Sequence, residues 1–509
     1  MSLPNNDFGF SVEQSKPFDI FQNLRAIALE NNAERDILDL STGDPGFAFA
    51  PGVRAREFAS YLIFLDTKFN NTKRKFVDTQ ANQEKFLLED IASWSRSTYV
   101  PVLAERYLKD MSEFIQRSLV IAKEHGFLWT PYDILKALFN RSMVSGGTYQ
   151  DPQGELLSRI ILTEWHKNTL DHEIGPEDLI LTAGASQAIA SLFKMLGQEG
   201  YQYLNPGDKV LLTSPGYLSS KSLLEKRGLE VICISLSPTT GEIEPRSLDL
   251  LKKVKGIKLM LIVNPNNPSG FALSEHTLKY LGHFAKEQGA LIIADEVYGD
   301  FYEQAHSMMD IEPERTLRVR SCSKIDRIPG LRVGELVINK ACNRYLTEHL
   351  LKGLLPEKLD FKAAFLAAKA PGGVHGEFLD TCFVPGPSQA LAIAHVLLEK
   401  ETRQNYRENI IENSRLFADI LGLPHENNRY YILFDLNSIE GSKKIELSIE
   451  QKIVELAKQG VILLPANLFF SKEDREALDR RQMVRACLAN GESVKIKKAA
   501  KLIHAYLTS

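Results

Sequence analysis

Short apolar runs, each closed by turn residues, recur through the middle of the chain. They are Leu179-Ile180-Leu181, Val210-Leu211-Leu212, Val231-Ile232-Cys233-Ile234, Leu259-Met260-Leu261-Ile262-Val263 and Leu291-Ile292-Ile293-Ala294. Helical patterns lie between several of them, for example Leu273 to Gln288. Short apolar runs alternating with helical periods predict an α/β fold, in which a mostly parallel sheet is sandwiched by helices. Candidate sites in such sheets lie at the carboxyl ends of the strands. Residues 55–140 differ: they carry no comparable strand run, and stretches such as Val102 to Ala122 have helical spacing, so they read as a helical insertion. Beyond 399 the pattern changes again. A long periodic stretch, Glu399 to Leu421, precedes strand-like runs at Tyr430 to Leu436 and Val461 to Leu464 and a closing helix, which predicts a smaller α/β domain.

Composition narrows the function classes. At 509 residues with a net charge of -4, the chain is an ordinary-sized globular protein without the bulk positive charge that nucleic acid binding draws on. The short basic patch Lys73-Arg74-Lys75 reads as solvated surface. No apolar run reaches the ~18 residues of a membrane span, and the first residues have no signal-peptide pattern. The cysteines at 233, 322, 342, 382 and 487 form no CxxC pair, which fits a reducing cytoplasm and no zinc site. No GxGxxG follows a strand, which excludes a plain dinucleotide oxidoreductase.

The chemistry concentrates after the apolar runs. Lys324 stands in Ser321-Cys322-Ser323-Lys324, with Arg332 eight residues on. A lysine amine can condense with an aldehyde, and a serine hydroxyl and a guanidinium can hold a phosphate. An aldehyde and a phosphate on one small molecule describe pyridoxal 5′-phosphate. Asp295, in Asp295-Glu296-Val297-Tyr298, puts a carboxylate at a strand end, where a cation such as a protonated pyridine nitrogen would offset its burial. A helix-capping aspartate would look the same. Asn264-Pro265-Asn266-Asn267-Pro268-Ser269-Gly270 is a turn in any reading, and Asn267 in it can donate to a ring oxygen, as can Tyr298. Thr182-Ala183-Gly184-Ala185-Ser186-Gln187 joins a strand to a helix. Its small residues would let a phosphate approach the N–H groups of Gly184, Ala185 and Ser186, although a plain connecting turn has the same composition. Tyr217, after Ser214-Pro215-Gly216, offers a face for stacking on a ring or for core packing.

As a set, in this order and spacing, these segments resemble the fold-type-I pyridoxal phosphate enzymes. The chain is similar to the class I/II aminotransferases of the aspartate aminotransferase superfamily over about residues 146–509 and the start of the chain. The resemblance implies a layout of an N-terminal arm with part of the small domain (1–54), the insertion (55–140), a large cofactor-binding domain (141–398) and a C-terminal small domain (399–509). It implies catalytic roles for Lys324, Asp295 and Tyr217, with Ser321, Ser323 and Arg332 beside the phosphate. Arg485, in Val484-Arg485-Ala486-Cys487, matches the arginine that pairs with the substrate α-carboxylate, and Gly43 matches the loop that closes over it. Together with Asn267 they make the expected substrate site. Tyr149 matches the tyrosine that reaches the phosphate of a neighbouring subunit, which implies a homodimer or larger homo-oligomer. The expected partners are an α-amino acid and a 2-oxo acid, with no metal, no nucleic acid and no membrane.

The interval from Gly43 to Tyr149 is 106 residues, longer than in ordinary members. A second expansion falls between Cys342 and Pro385. That layout resembles the bacterial aspartate 4-decarboxylases, so decarboxylation of aspartate is the alternative to transamination. Thr42 stands where those enzymes carry an arginine, which argues for transamination; Arg54 and Arg56 are the candidates to replace that cation. A cofactor-sensing regulator is a further alternative, but the chain shows no helix-turn-helix ahead of the fold.

Overall fold

The computed structural model describes residues 17–43, 53–73, 89, 91–139, 143–144, 146–167, 169–197, 200–216, 218–237, 240–302, 305–369, 384–424, 430–444, 446–471, 473–474, 482–489 and 491–509. Tyr217 and Cys382 lie outside these residues. Among the described residues the strands are β1 (Leu38–Asp39), β2 (Leu179–Thr182), β3 (Lys209–Ser214), β4 (Glu230–Ser235), β5 (Ile257–Val263) and β6 (Leu291–Asp295). They continue as β7 (Thr316–Ser321), β8 (Gly334–Val337), β9 (Tyr431–Asp435), β10 (Val461–Ile462), β11 (Leu464–Pro465) and β12 (Met483–Cys487). The chain divides into two compact units. The first comprises Met1–Phe49, Leu204–Glu312 and Asn405–Ser509, the second Ala50–Tyr203 and Pro313–Gln404.

In the first unit β4, β3, β5 and β6 run parallel in that order. Leu211, Ile234, Met260, Ile262, Ile292 and Ala294 bury side chains against the helix Glu275–Gln288. Burying each large aliphatic is worth about 1.5–3 kcal/mol, so the continuous apolar runs are what hold these strands in the core. The helix starts two residues later than the periodicity suggests. Ser274 accepts a hydrogen bond from the Thr277 N–H and so caps the first turn, while Gly289, at φ +67°, ends the helix in a left-handed turn. A second core gathers Ile20, Leu24 and Ala28 of the helix Pro17–Asn31, at spacing four, with Phe417, Ile453 and Ile503. It supports an antiparallel sheet in the order β11, β12, β9 and the parallel pair β1 and β10. The run Val461 to Leu464 is therefore two strands in two sheets, with Leu463 between them.

In the second unit β2, β8 and β7 are antiparallel. β7 was not legible as an apolar run because Arg318 and Arg320 are buried on it. Arg320 lies directly across from Glu335 of β8, and its Nη1 donates to the Trp165 carbonyl and to Thr169 Oγ1, each at 2.8 Å. Arg318 Nη1 lies 2.6 Å from His166 Nδ1. Buried charge is retained only with such partners. The residues read as an insertion form the helices Val53–Lys73, Ile91–Thr98, Pro101–Glu124 and Pro131–Phe139. Aromatic rings tie them together: Tyr61 stacks on Tyr107 at 4.9 Å and Phe58 packs on Phe114 at 5.3 Å. Among the described residues no helix is long and apolar enough to cross a membrane.

Candidate active site

The anticipated site residues fall into two sets, one in each unit. In the second unit, β7 runs into the turn that carries Lys324, which is half-buried. Ser321 and Ser323 are buried beside it. Ser321 Oγ lies 2.8 Å from Ser323 Oγ and 3.0 Å from the Val333 carbonyl, and it accepts the Ser323 N–H at 3.1 Å. The chain then turns through Pro329–Leu331 into Arg332, which has a left-handed φ of +54° and is exposed. That turn aims the guanidinium at the segment after β2. Arg332 Nη2 donates to the Ala183 carbonyl at 3.2 Å and Nη1 to Pro329 at 2.9 Å.

Ala183 is followed by Gly184, at φ +84° and ψ 165°, and then by the helix Ala185–Leu196. Only glycine adopts this conformation readily. A Cβ on Gly184 would overlap Nη2 of Arg332 and lie 3.0 Å from its Cζ. A second glycine completes the close approach: a Cβ on Gly334 of β8 would stand 2.8 Å from Gly184 Cα and 2.8 Å from the Arg320 carbonyl. The result is a helix N-terminus beside a guanidinium and two serine hydroxyls, a composition suited to a phosphate. The Gly184 N–H donates to the Thr182 carbonyl at 2.8 Å, and the N–H groups of Ala185 and Ser186 stand in the first turn of the helix that follows.

In the first unit, Asp295 ends β6 with only 8% of its surface exposed; the Val297 N–H reaches its Oδ1 at 3.4 Å. The neighbouring Glu296 has a different task, accepting from Ser307 Oγ and the Met308 N–H, each at 2.9 Å, at the start of the helix Met308–Ile311. Tyr298 is buried, and burial, followed by the neighbouring Tyr431 and Asp295, pushes its phenol well above the ordinary tyrosine range. Asn267 links it to Arg485. Its Nδ2 donates to the Tyr298 oxygen at 3.4 Å, and its Oδ1 accepts from Arg485 Nη1 at 3.0 Å.

Arg485 lies on β12, 5% exposed, with its guanidinium carbon 4.5 Å from the Tyr431 ring centroid and 4.8 Å from that of Phe469. Nη2 donates to the Ser41 carbonyl, while Nε is buried without a hydrogen-bond partner. Tyr430 donates to the Gly43 carbonyl at 3.3 Å, and a Cβ on Gly43 would overlap the Tyr431 hydroxyl. The structure thus brings Gly43, Asn267, Tyr298 and Arg485 together through Tyr430 and Tyr431, two residues that the sequence reading treated only as part of a strand. Their signal was two adjacent tyrosines at the head of an apolar run. Tyr149 is 91% exposed. Arg54 forms ion pairs, its guanidinium 2.6 Å from Asp110 and 2.5 Å from Glu113.

Residues 124–503 match the family model for aminotransferase class I and II. The chain is 29% identical over 216 residues to S-alkyl-thiohydroximate lyase SUR1 of Arabidopsis thaliana, covering 41% of this chain and 45% of that one. It is 28% identical over 208 residues to an aspartate/prephenate aminotransferase of Thermus thermophilus, covering 40% and 52%. The matched segment thus spans about half the length of these curated relatives. A solved Thermus thermophilus aspartate aminotransferase shares the fold, with a TM-score of 0.60 at 19% identity over 98% of this chain and all of that one.

Proposed function

Because the chain belongs to the class I and II aminotransferase family, whose members use pyridoxal 5′-phosphate, we propose that it moves the amino group of an α-amino acid to a 2-oxo acid. When bound, the cofactor supplies an aldehyde and an electron-withdrawing ring. The residues present fit it: the cradle that a Gly184 Cβ would fill is phosphate-like, and the orphaned Arg485 Nε suits a carboxylate.

Ala185, Ser186, Ser321, Ser323 and Arg332 would hold the phosphate, with Tyr149 of a second copy reaching it in a homodimer. Lys324 would bind the aldehyde carbon and, once released, carry the proton from the substrate Cα. Its amine must be neutral to do so, which a cationic cofactor beside it favours. Asp295 would keep a proton on the ring nitrogen, Tyr217 would stack on the ring, and Tyr298 and Asn267 would donate to its oxygen. Arg485 would orient the α-carboxylate as a fork, beneath the segment that carries Gly43.

The observation that carries this reading is the Arg485 guanidinium, fixed in plane between two rings with a buried N–H to spare. A charge-assisted pair of this kind is what a substrate carboxylate needs. Transamination is favoured over aspartate decarboxylation because Thr42 replaces the expected cation and Arg54 is ion-paired with Asp110 and Glu113. The four described cysteines are all free, which supports a reducing compartment such as the cytoplasm. The test is to supply aspartate with 2-oxoglutarate and, separately, aspartate alone. Formation of glutamate in the first supports the proposal. Sustained, equal release of alanine and carbon dioxide in the second would replace it with decarboxylation.

A further inference from the structure

We propose that Arg403 is a positioning residue for Lys324: it holds Asp326, two residues beyond the lysine, from a corner of the chain that the inserted helices brace. The inference rests on the cofactor reading given above. It gives a task to helices for which neither the sequence motifs nor that reading had one.

The turn that follows Lys324 needs support from outside it. Arg327 has a left-handed φ of +55°, a conformation that a residue with a Cβ resists and that persists only where the surroundings impose it. Two backbone hydrogen bonds frame the turn. The Arg327 N–H donates to the Lys324 carbonyl at 3.3 Å, and the Cys322 N–H donates to the Val333 carbonyl at 3.2 Å. Between them the Asp326 carboxylate is fully buried, and Arg403 Nε lies 3.7 Å from its Oδ1 in an ion pair. Burying a carboxylate is costly without a cation, so the pair fixes Asp326 and with it the backbone that carries Lys324.

Arg403 is itself fixed. Its Nη2 donates to the Val396 carbonyl and its backbone N–H to the Glu399 carbonyl, each at 3.0 Å. These residues form the corner between the helices Gly386–Leu398 and Lys400–Leu421. Two inserted helices converge on that corner. Glu399 Oε1 accepts the Ala55 N–H at 2.8 Å, at the third residue of the helix Val53–Lys73, where N–H groups have no partner within the helix and a carboxylate is favoured. Glu399 Oε2 accepts from Thr402 Oγ1 at 2.5 Å. Arg117, of the helix Pro101–Glu124, donates to the Leu397 carbonyl. Arg403, Arg327 and Arg56 all act on the buried His395 of this corner, and the Asp326 and Glu399 carboxylates offset that positive charge. The contacts run from the insertion to the turn of Lys324 within the second unit.

Two measurements test the proposal, one of them independent of catalysis. In the cofactor-free protein, Arg403→Gln should speed backbone hydrogen exchange of the peptide spanning Cys322 to Arg327 by about tenfold, read by mass spectrometry, and Glu399→Ala should shift it in the same direction. In the holoenzyme with pyridoxal 5′-phosphate bound, Arg403→Gln should lower kcat by about ten- to a hundredfold, because the lysine loses its alignment, while KM changes by no more than about threefold. Loss of stability alone would lower Tm and leave kcat of the folded protein unchanged. Arg403→Lys should recover most of the loss, since it restores the charge. In Asp326→Asn protein, adding Arg403→Gln should change neither readout further, because Arg403 acts through Asp326. If Arg403→Gln does not fold, that double variant, which no longer buries an unpaired carboxylate, is compared with Asp326→Asn in its place. Unchanged exchange in Arg403→Gln, a kcat within about twofold of wild type or additive effects in the double variant would overturn the proposal. Unchanged exchange in Glu399→Ala would overturn the link to the inserted helices. A wild-type protein that binds no cofactor would overturn the functional reading instead, and the exchange measurement would still decide whether Arg403 holds the turn.

Discussion

Replacing Gly184 by Ala tests the phosphate cradle with a single methyl group. Gly184 sits at φ +84° and ψ 165°, where a residue with a Cβ is strained by about 1–3 kcal/mol. The new methyl would also overlap the Arg332 guanidinium, which donates to Ala183 and Pro329. Displacing it forfeits charge-assisted bonds worth roughly 1–2 kcal/mol, discounted because Arg332 is exposed. The combined cost is about 2–5 kcal/mol, and it can appear in two places. If the turn relaxes in the cofactor-free protein, the strain must be overcome on binding, and affinity for pyridoxal 5′-phosphate falls between about thirty-fold and a few thousand-fold. If the turn is held, the folded state carries the cost instead. For a chain of this length, with an unfolding entropy near ~1 kcal/mol/K, Tm falls by roughly 2–5 °C. The assays are a cofactor titration of the apoprotein followed by absorbance, and thermal unfolding. Gly256→Ala is the control, since it shares a left-handed φ of +77° but has open space around its Cα; it should cost some stability and leave cofactor affinity alone. A Gly184→Ala protein with affinity within about threefold and an unchanged Tm would refute the cradle.

Three further outcomes are expected. Asp295→Ala should retain cofactor while slowing proton transfer by about 10²–10³ in single-turnover absorbance measurements, and near-wild-type rates would mean that this carboxylate does not hold the ring proton. Arg485→Lys keeps the charge but loses the planar fork and the stacking between Tyr431 and Phe469, so KM should rise about tenfold or more in steady-state assays; an unchanged KM would remove Arg485 from the substrate site. His395 is buried beside Arg403, Arg327 and Arg56, and burial first, then those charges, lowers it to about 3. A histidine depressed on folding gives stability that is complete above its unfolded value of about 6.5 and is lost as pH falls toward 3, at up to ~1.4 kcal/mol per pH unit. Denaturant titrations across that window should therefore show one fewer proton taken up on unfolding in His395→Gln, and an unchanged slope would contradict the assignment.

What the sequence made legible follows from how each element is buried. β3, β5 and β6 are buried along nearly their whole length and read as uninterrupted apolar runs, with Asn267 and Asp295 just beyond β5 and at the end of β6. β7 was hidden because Arg318 and Arg320 are sustained by Glu335, Thr169 and His166, partners that no local pattern identifies. The motif residues Asp295, Asn267, Lys324 and Arg332 could be picked out because local turn chemistry constrains them. The contacts of Tyr430 and Tyr431 could not, since they depend on Gly43 and Tyr298, which are far away in the chain. The ion pairs of Arg54 with Asp110 and Glu113 became visible only once the helices Val53–Lys73 and Pro101–Glu124 were packed. The Gly184 N–H illustrates the same limit at short range, because its bond to Thr182 depends on a backbone angle that composition permits without specifying.

The central claim is that Lys324 holds pyridoxal 5′-phosphate covalently. Reducing the holoenzyme with borohydride and mapping the modified peptide by mass spectrometry tests it directly. The account predicts a single pyridoxyl-phosphate adduct on Lys324, lost in Lys324→Ala. An adduct on another lysine, or one that persists undiminished in Lys324→Ala, would contradict it.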